Sequence, residues 1–337
     1  MQSRPLGTLA INASVVGLGT WVTGGGAVWG TDPDDQESIR AIQAALDSGV
    51  NLIDTAPGYG WGRSEQVVGR AIKGRRDAVI LATKCGLLWD DDRGSPFVEL
   101  NGKLIRRSLR PDTMVEELDR SLSNLDTDYI DLYQTHWPSV EPDKTPVEDT
   151  MATLIKLQEA GKIRAIGVCN CTLQELQDNV HHGPVVSHQF RYSMLWRLPE
   201  QDILPYCREH NIATLTYMSL EQGLLAGKVG MDRTFAKDEF RANEDWNPWF
   251  KLVNRQRVLD LLASWKDLAG KYECSMAQLT IAWTAAQPGI THVLIGARNT
   301  TQALENAAAA DIKIAADDLR QMDRDITALG QPATEAP

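Results

Sequence analysis

The 337-residue chain has no stretch approaching the ~18 consecutive apolar residues that a membrane-spanning helix needs. It has no block of like charge longer than Asp90-Asp91-Asp92 and no basic stripe, and its net charge is −11. An acidic surface of this kind excludes nucleic acid and anionic membranes as expected partners and is what solubility alone asks for. Cysteine is scarce: five residues, of which only Cys169 and Cys171 lie close together. An odd count without a framework spacing points to a reducing compartment. A Cys-x-Cys pair without a third or fourth ligand nearby is a poor zinc site, so no metal is expected. Residues 1–20 lack both a charged leader and a small-residue cleavage site. The expected location is the cytoplasm.

What is present is alternation. After a short hairpin at 4–14, apolar runs at 15–19, 51–55, 79–84, 130–136, 163–168, 185–189, 213–217 and 293–296 read as strands. Most are continuous rather than half-polar, as buried parallel strands are. Helical spacing separates them, as at Ile39, Ile42 and Leu46, with Gly49 as a stop. Thr145 with Glu148, Thr172 with Glu175 and Asn299 with Gln302 read as capping boxes, the first with Pro146 opening its helix. Eight strands alternating with helices predict an α/β fold, a closed (β/α)8 barrel with an N-terminal β-hairpin, because right-handed crossovers wrap the helices around the outside. The rival, an open doubly wound sheet, would place Gly-x-Gly-x-x-Gly after its first strand, and Gly17-Leu18-Gly19-Thr20-Trp21-Val22 lacks the third glycine. Long insertions at 85–110 and 219–254 leave the C-terminal ends of strands, where a barrel keeps its active site. The whole chain reads as one barrel domain, ordered over about 4–330, with a flexible tail at 331–337.

The strand ends carry the chemistry. Asp54, Lys84 and His136 end consecutive strands, and Tyr59 follows the first of them. Singly, each has a structural reading: a cap, an ion-pair partner, a rim histidine, a loop aromatic. Together they form a proton-delivery set. A phenol with a pKa near ~10 is a poor acid or base at neutral pH. A neighbouring ammonium is expected to lower that value, and a carboxylate to fix the ammonium. A histidine at the same oxygen orients a carbonyl. No nucleophile stands among them, so acyl or glycosyl transfer has nothing covalent to use.

The run Asp54-Thr55-Ala56-Pro57-Gly58-Tyr59-Gly60, with Gly62-Arg63-Ser64-Glu65 behind it, resembles the aldo-keto reductase signature. Thr83-Lys84, Asp131-Leu132-Tyr133-Gln134-Thr135-His136-Trp137-Pro138 and Gly161-Lys162-Ile163-Arg164-Ala165-Ile166-Gly167-Val168 are similar to later blocks of that family. The likeness runs from Gly17 to about Leu329 and is nearest the bacterial general-stress and inositol-locus oxidoreductases. It implies a TIM barrel that reduces a small aldehyde, hydroxyaldehyde or open-chain sugar with NADP(H), with that small-molecule substrate as its partner and monomer and homo-oligomer both open. Tyr59 would be the general acid, Lys84 and Asp54 its tuning pair and His136 the carbonyl-orienting group.

The resemblance also implies that Asn170 and Gln189 hold the nicotinamide carboxamide and that Tyr217 stacks on the ring. Gly19, Thr20 and Trp21 would border the nicotinamide, and Ser219, Leu220 and Gln222 the pyrophosphate. The block Gly296, Arg298, Gln302, Glu305 and Asn306 would take the adenosine phosphate, at a helix N-terminus that suits an anion. Arg298 adds a donor fork for a 2′-phosphate. Two departures stand out: Cys169 replaces the usual Ser, and Glu221 sits where a carboxylate is unhelpful unless it points away. Among many mouth tryptophans, Trp21 and Trp137 are expected in the substrate pocket. Two other readings use the same residues: a dehydrogenase working in the oxidative direction, and a cofactor-holding binding module like the potassium-channel β subunits.

Overall fold

The computed structural model describes residues 1–26, 29, 34–100, 102–237 and 239–333. Strands β1 (Ser3–Pro5) and β2 (Asn12–Ser14) pair antiparallel, as the 4–14 hairpin predicts. Eight parallel strands then close a barrel: β3 (Val16–Gly19), β4 (Leu52–Asp54), β5 (Ile80–Cys85), β9 (Ile130–Thr135), β10 (Ile163–Cys169), β11 (Val185–Arg191), β12 (Ala213–Tyr217) and β13 (His292–Ile295). Each corresponds to one of the apolar runs. The helices between them are α1 (Asp35–Asp47), α2 (Arg63–Ile72), α3 (Pro111–Leu125), α4 (Val147–Glu159), α5 (Leu173–His182), α6 (Ile203–Glu209), α7 (Leu252–Ser264), α8 (Lys266–Lys271) and α9 (Met276–Ala286), with α10 (Thr300–Ala308) and α11 (Ala316–Leu329) last. No helix among the described residues is long and apolar enough to cross a membrane.

Alternate residues along a strand share a face, and that parity builds the interior. Leu52, Ile80, Ala82, Leu132, Ala165 and Leu215 pack together with Leu6 of the hairpin, which plugs the N-terminal end. Continuing the same parity toward the other end gives Asp54, Lys84, Gln134 and Tyr217. The barrel interior is therefore apolar at one end and polar at the other. The opposite parity, for example Ile53, Leu81 and Tyr133, packs against the helices in the larger core. The hairpin fits closely: a Cβ on Gly7, whose φ is +60°, would stand 2.1 Å from the Val186 carbonyl oxygen.

Helix starts depart from expectation in two places. Thr172 and Glu175 do form a reciprocal capping box. Thr145 does not cap α4; Pro146 takes the N-cap position with no side-chain bond. Ser139 Oγ claims the Thr145 backbone on both sides, accepting from its N–H and donating to its carbonyl, each at 3.1 Å. Asn299 caps α10 through the Gln302 N–H, but Gln302 reaches past it to the Arg298 N–H. A further box, Ser275 with Gln278, starts α9.

The insertion at 85–110 is not only loop. It folds as an antiparallel sheet of β6 (Leu87–Leu88), β7 (Ser95–Leu100) and β8 (Lys103–Arg107), in the order β6-β8-β7. The 219–254 insertion is a chain of turns that Arg255 holds by donating to the carbonyls of Gly230, Arg233 and Phe250. Residues 331–333, expected to be flexible, are tied down: Asn254 exchanges two hydrogen bonds with the Ala333 backbone and Arg257 donates to Gln331. The rest of that expected tail lies outside the described residues.

Candidate active site

The polar end of the barrel opens into a cavity of about 1640 Å³. Lys84 stands at its base, fully buried, with Nζ donating to Asp54 Oδ1 at 2.7 Å, to the Thr55 carbonyl at 2.9 Å and to Tyr59 OH at 3.3 Å. Strand register makes this possible: Asp54 lies opposite Ala82 on β5, two residues before Lys84, and Lys84 lies opposite Gln134 on β9. The second Asp54 oxygen accepts from Gln134 Nε2 at 3.1 Å and Gln189 Nε2 at 2.8 Å. The carboxylate is thus saturated by one ammonium and two amides.

Tyr59 reaches the ammonium from the turn after β4. That turn is held by a close approach of two backbones: a Cβ on Gly60, at φ +64°, would lie 2.2 Å from the Gly24 carbonyl oxygen. The expected lowering of the phenol pKa is not the net outcome. Burial pushes Tyr59 up to about 12, against the downward pull of Lys84, and Asp54 adds to the rise. Lys84 is held above its ordinary value, because Asp54 and Tyr59 outweigh its desolvation. His136 packs edge-on to Tyr59, ring centroids 5.9 Å apart. Burial, then the cations Lys84 and Arg107, hold its imidazole neutral, well below the usual range.

Asp54, Tyr59 and His136 line the cavity, and so do Gly19, Trp21, Trp137, Asn170, Gln189, Tyr217, Ser219, Leu220, Gln222, Gly296, Arg298, Gln302, Glu305 and Asn306. Thr20 does not. It is buried, its hydroxyl donating to the Asp54 carbonyl and accepting from Ser64, so it braces the strand end from behind. Asn170 sits at φ +58°, donates to the His136 carbonyl and accepts from Tyr217 OH at 2.7 Å. Cys169 also faces inward, its thiol donating to Gln134 Oε1 at 3.6 Å. No metal-holding group of His, Cys, Asp and Glu occurs among the described residues.

Glu221 points away from the cavity: it is buried against Arg191 at 2.6 Å and accepts from Ser193 Oγ. Its neighbours are left open. Ser219 Oγ, both polar atoms of the Gln222 amide and Arg191 Nε are buried with no hydrogen-bond partner among the described residues. The donors among them, Ser219 Oγ, Gln222 Nε2 and Arg191 Nε, ask for an acceptor, and they fit a pyrophosphate. Further along, Arg233, Arg241 and Arg298 line the same cavity; burial and then Arg241 lower the Arg298 pKa, Glu239, itself ion-paired with Arg241, opposes them, and Arg233 adds to the lowering. They lie by the start of α10, so the donor set suits a phosphorylated dinucleotide stretched across the barrel mouth.

Several contributors carried no assignment in the sequence. Gln134, two residues before His136 and on its strand face, was detectable by parity alone. Trp29 and Phe240 pack on Trp21, and Phe97 on Trp137, through contacts that only the folded loops create.

A closed barrel with a Tyr-Lys-Asp-His set at its C-terminal mouth, beside an arginine-lined cleft, defines a barrel oxidoreductase. Residues 15–326 match the Aldo/keto reductase family, and the chain belongs to it. It is 41% identical over 315 residues to the NADH-specific methylglyoxal reductase of Escherichia coli, covering 93% of this chain and 95% of that one. It is 42% identical over 305 residues to the aldo-keto reductase YhdN of Bacillus subtilis, covering 90% and 86%. Among solved structures it is similar to a glycerol dehydrogenase from Gluconobacter oxydans, with a TM-score of 0.86 at 35% identity over 99% of this chain and 98% of that one. A Klebsiella pneumoniae aldo/keto reductase in complex with NADP and acetate gives a TM-score of 0.69 at 27% identity, covering 97% and 94%.

Proposed function

We propose that the protein reduces the carbonyl of a small aldehyde, hydroxyaldehyde or open-chain sugar to the alcohol, with NADPH as cofactor and Tyr59 as general acid. The observation that carries this reading is the position of Lys84 Nζ, within hydrogen-bond reach of both Asp54 and Tyr59 OH. When bound, the reduced nicotinamide supplies the hydride. Tyr59 OH donates the proton to the carbonyl oxygen. Lys84, kept charged by Asp54, then stabilises the phenolate left behind, and Gln134 and Gln189 hold the carboxylate in place. The neutral His136 imidazole orients the carbonyl, while Trp21 and Trp137 wall the pocket.

The same acid/base serves both directions. Burial keeps Tyr59 protonated across the neutral range but makes it a weaker acid, so its proton transfer leans on Lys84 to stabilise the phenolate. The oxidative reading, supported by the likeness to a glycerol dehydrogenase, uses the same residues and gains only at alkaline pH. A cofactor-holding binding module, favoured by 30% identity to a plant protein named a probable potassium-channel β subunit, would show no turnover. The NADPH preference rests on the three arginines; the Escherichia coli relative, named NADH-specific, is the competing case. Five free cysteines support a cytoplasmic setting.

The test is Tyr59→Phe. Reduction of glyceraldehyde or methylglyoxal should fall ~10²–10⁴-fold, with nicotinamide binding, read by fluorescence, largely kept. Half the turnover surviving, where chemistry limits the rate, would remove Tyr59 from the role.

A further inference from the structure

Trp61 sits at φ +58° between Gly60 at +64° and Gly62 at +94°, in the turn that carries Tyr59. Glycine takes the left-handed region freely, whereas a bulky side chain there is an outlier. Hydrogen bonds on both sides hold Trp61 in it: the Gly62 N–H donates to the Pro57 carbonyl at 2.7 Å, and the Arg63 N–H to that of Gly60 at 3.1 Å. Strain of this kind clusters where the side chain it presents is used. Here the half-buried indole lines the cavity and packs on Trp89, ring centroids 5.3 Å apart. Trp89 lines the cavity too, from the segment between β6 and β7, so two separate loops build one aromatic wall.

The position and chemistry of that wall say what it would hold. β4 and β5 stand three and four strands round the barrel from β12, the strand that leads to Ser219 and Gln222. The wall therefore lies beside Tyr59 and away from the pyrophosphate groups. Lys103 sits over Trp61 at 5.3 Å and Arg120 over Trp89 at 5.6 Å, so each ring is backed by a cation of the protein's own. Around the two indoles the cavity is lined by Leu87, Val98, Leu100 and Ile105. Glu99 is the one charged lining residue among the described residues of the insertion, and it is exposed. A charge-poor wall of indoles suits a flat, uncharged face.

We propose that Trp61 and Trp89 form an outer subsite for an uncharged ring, aryl or sugar, carried at the far end of the substrate. The carbonyl sits between Tyr59 and His136, and the ring lies on the indoles, which offer it area without a charge to desolvate. The subsite acts through affinity and leaves proton delivery to Tyr59 and Lys84. This deepens the reductase reading and rests on it.

Two pairs of aldehydes test it: 3-phenylpropanal against propanal, and the glucoside of glycolaldehyde against glycolaldehyde. The wild type should favour the ring-bearing member of at least one pair by about tenfold or more in kcat/KM, chiefly through KM. The pair that responds tells aryl from sugar. Trp61→Asn installs a residue that tolerates left-handed backbone, and Trp89→Leu removes the other indole from a separate segment. Each should cut the ratio about fivefold or more, while propanal and glycolaldehyde keep their wild-type kcat/KM. A purely structural role would lower both members of a pair together and leave the ratio where it was. Melting curves establish that each variant is folded, and if one is not, the other decides. Ratios near one in the wild type, or an unchanged ratio in a folded variant, overturn the proposal and leave the reductase reading standing. No turnover of any of the four overturns both.

Discussion

Gln189 donates its side-chain amide to Asp54 Oδ2 at 2.8 Å, tying a strand on one side of the barrel to a carboxylate on the other. Gln189 was expected at the cofactor carboxamide, and it does line the cavity, but one amide hydrogen is already committed to the carboxylate that charges Lys84. Gln134 does the same work from β9 at 3.1 Å. Gln134→Leu should therefore weaken the proton-delivery set, and it also frees the Gln189 amide that donates to Gln134 Oε1 at 3.4 Å. A hydrogen bond to a charged group is worth ~1.5–3 kcal/mol, so the variant should lose roughly tenfold or more in reduction rate and unfold at lower denaturant. Single-turnover rates with urea melts check both. Wild-type rates in a folded Gln134→Leu would show that Gln189 holds Asp54 unaided.

The barrel was legible because its strands are continuous apolar runs, and each appears within a residue or two of its expected bounds. The Tyr59, Lys84, Asp54 and His136 set was legible because strand ends converge in such a fold. What escaped depends on depth and on contacts between distant segments. The sequence shows an ammonium near a phenol but not how dry the phenol is, and burial reversed the expected sign of the Tyr59 shift. The β6-β8-β7 sheet hid because Arg106 and Arg107 follow Leu104 and Ile105 with no alternation. Thr145 looks like a cap in sequence, and only the fold brings Ser139 onto its backbone.

The arginine cluster predicts cofactor choice. Arg298→Ala should lose about tenfold or more in NADPH affinity and little for NADH, since a charged pair contributes ~1.5–3 kcal/mol. Fluorescence titration of both reduced nicotinamides measures it. Equal affinities in the wild type would overturn the NADPH assignment, and tighter binding of NADH would align this chain with its NADH-specific relative.

Acid should destabilise the fold through buried histidines. Burial holds His188 down to about 3 and His292 to about 4, below the unfolded value near ~6.5. Between those values the unfolded chain binds the proton and the folded one does not. Stability is therefore whole above about pH 6.5 and falls as pH drops, each such histidine adding a slope of ~1.4 kcal/mol per pH unit. His188 Nε2 accepts the Cys171 N–H at 3.2 Å, a role that a glutamine carbonyl can fill. His188→Gln should flatten the acid side of a melting-temperature profile between pH 7 and 5. An unchanged slope would assign the loss to other groups.

The pair at the base of the site separates stability from chemistry. Lys84→Met leaves Asp54 buried with two amide donors and no counter-charge, and breaking a buried pair by removing one partner costs ~3–5 kcal/mol. It also strips Tyr59 of the cation that opposes its burial, so the phenol's pKa climbs further and the phenolate formed on proton donation goes unsupported. Reduction should fall ~10²–10⁴-fold, as for loss of the acid itself. Asp54→Asn combined with Lys84→Met removes both charges and should regain most of the lost stability, because two amides and an apolar side chain need no counter-ion. It should regain none of the rate, since nothing cationic then faces Tyr59. Thermal melts beside single-turnover reduction of methylglyoxal distinguish the outcomes. Recovery of the rate in the double variant would mean that Lys84 acts by holding the fold, and the proton relay would have to be assigned without it.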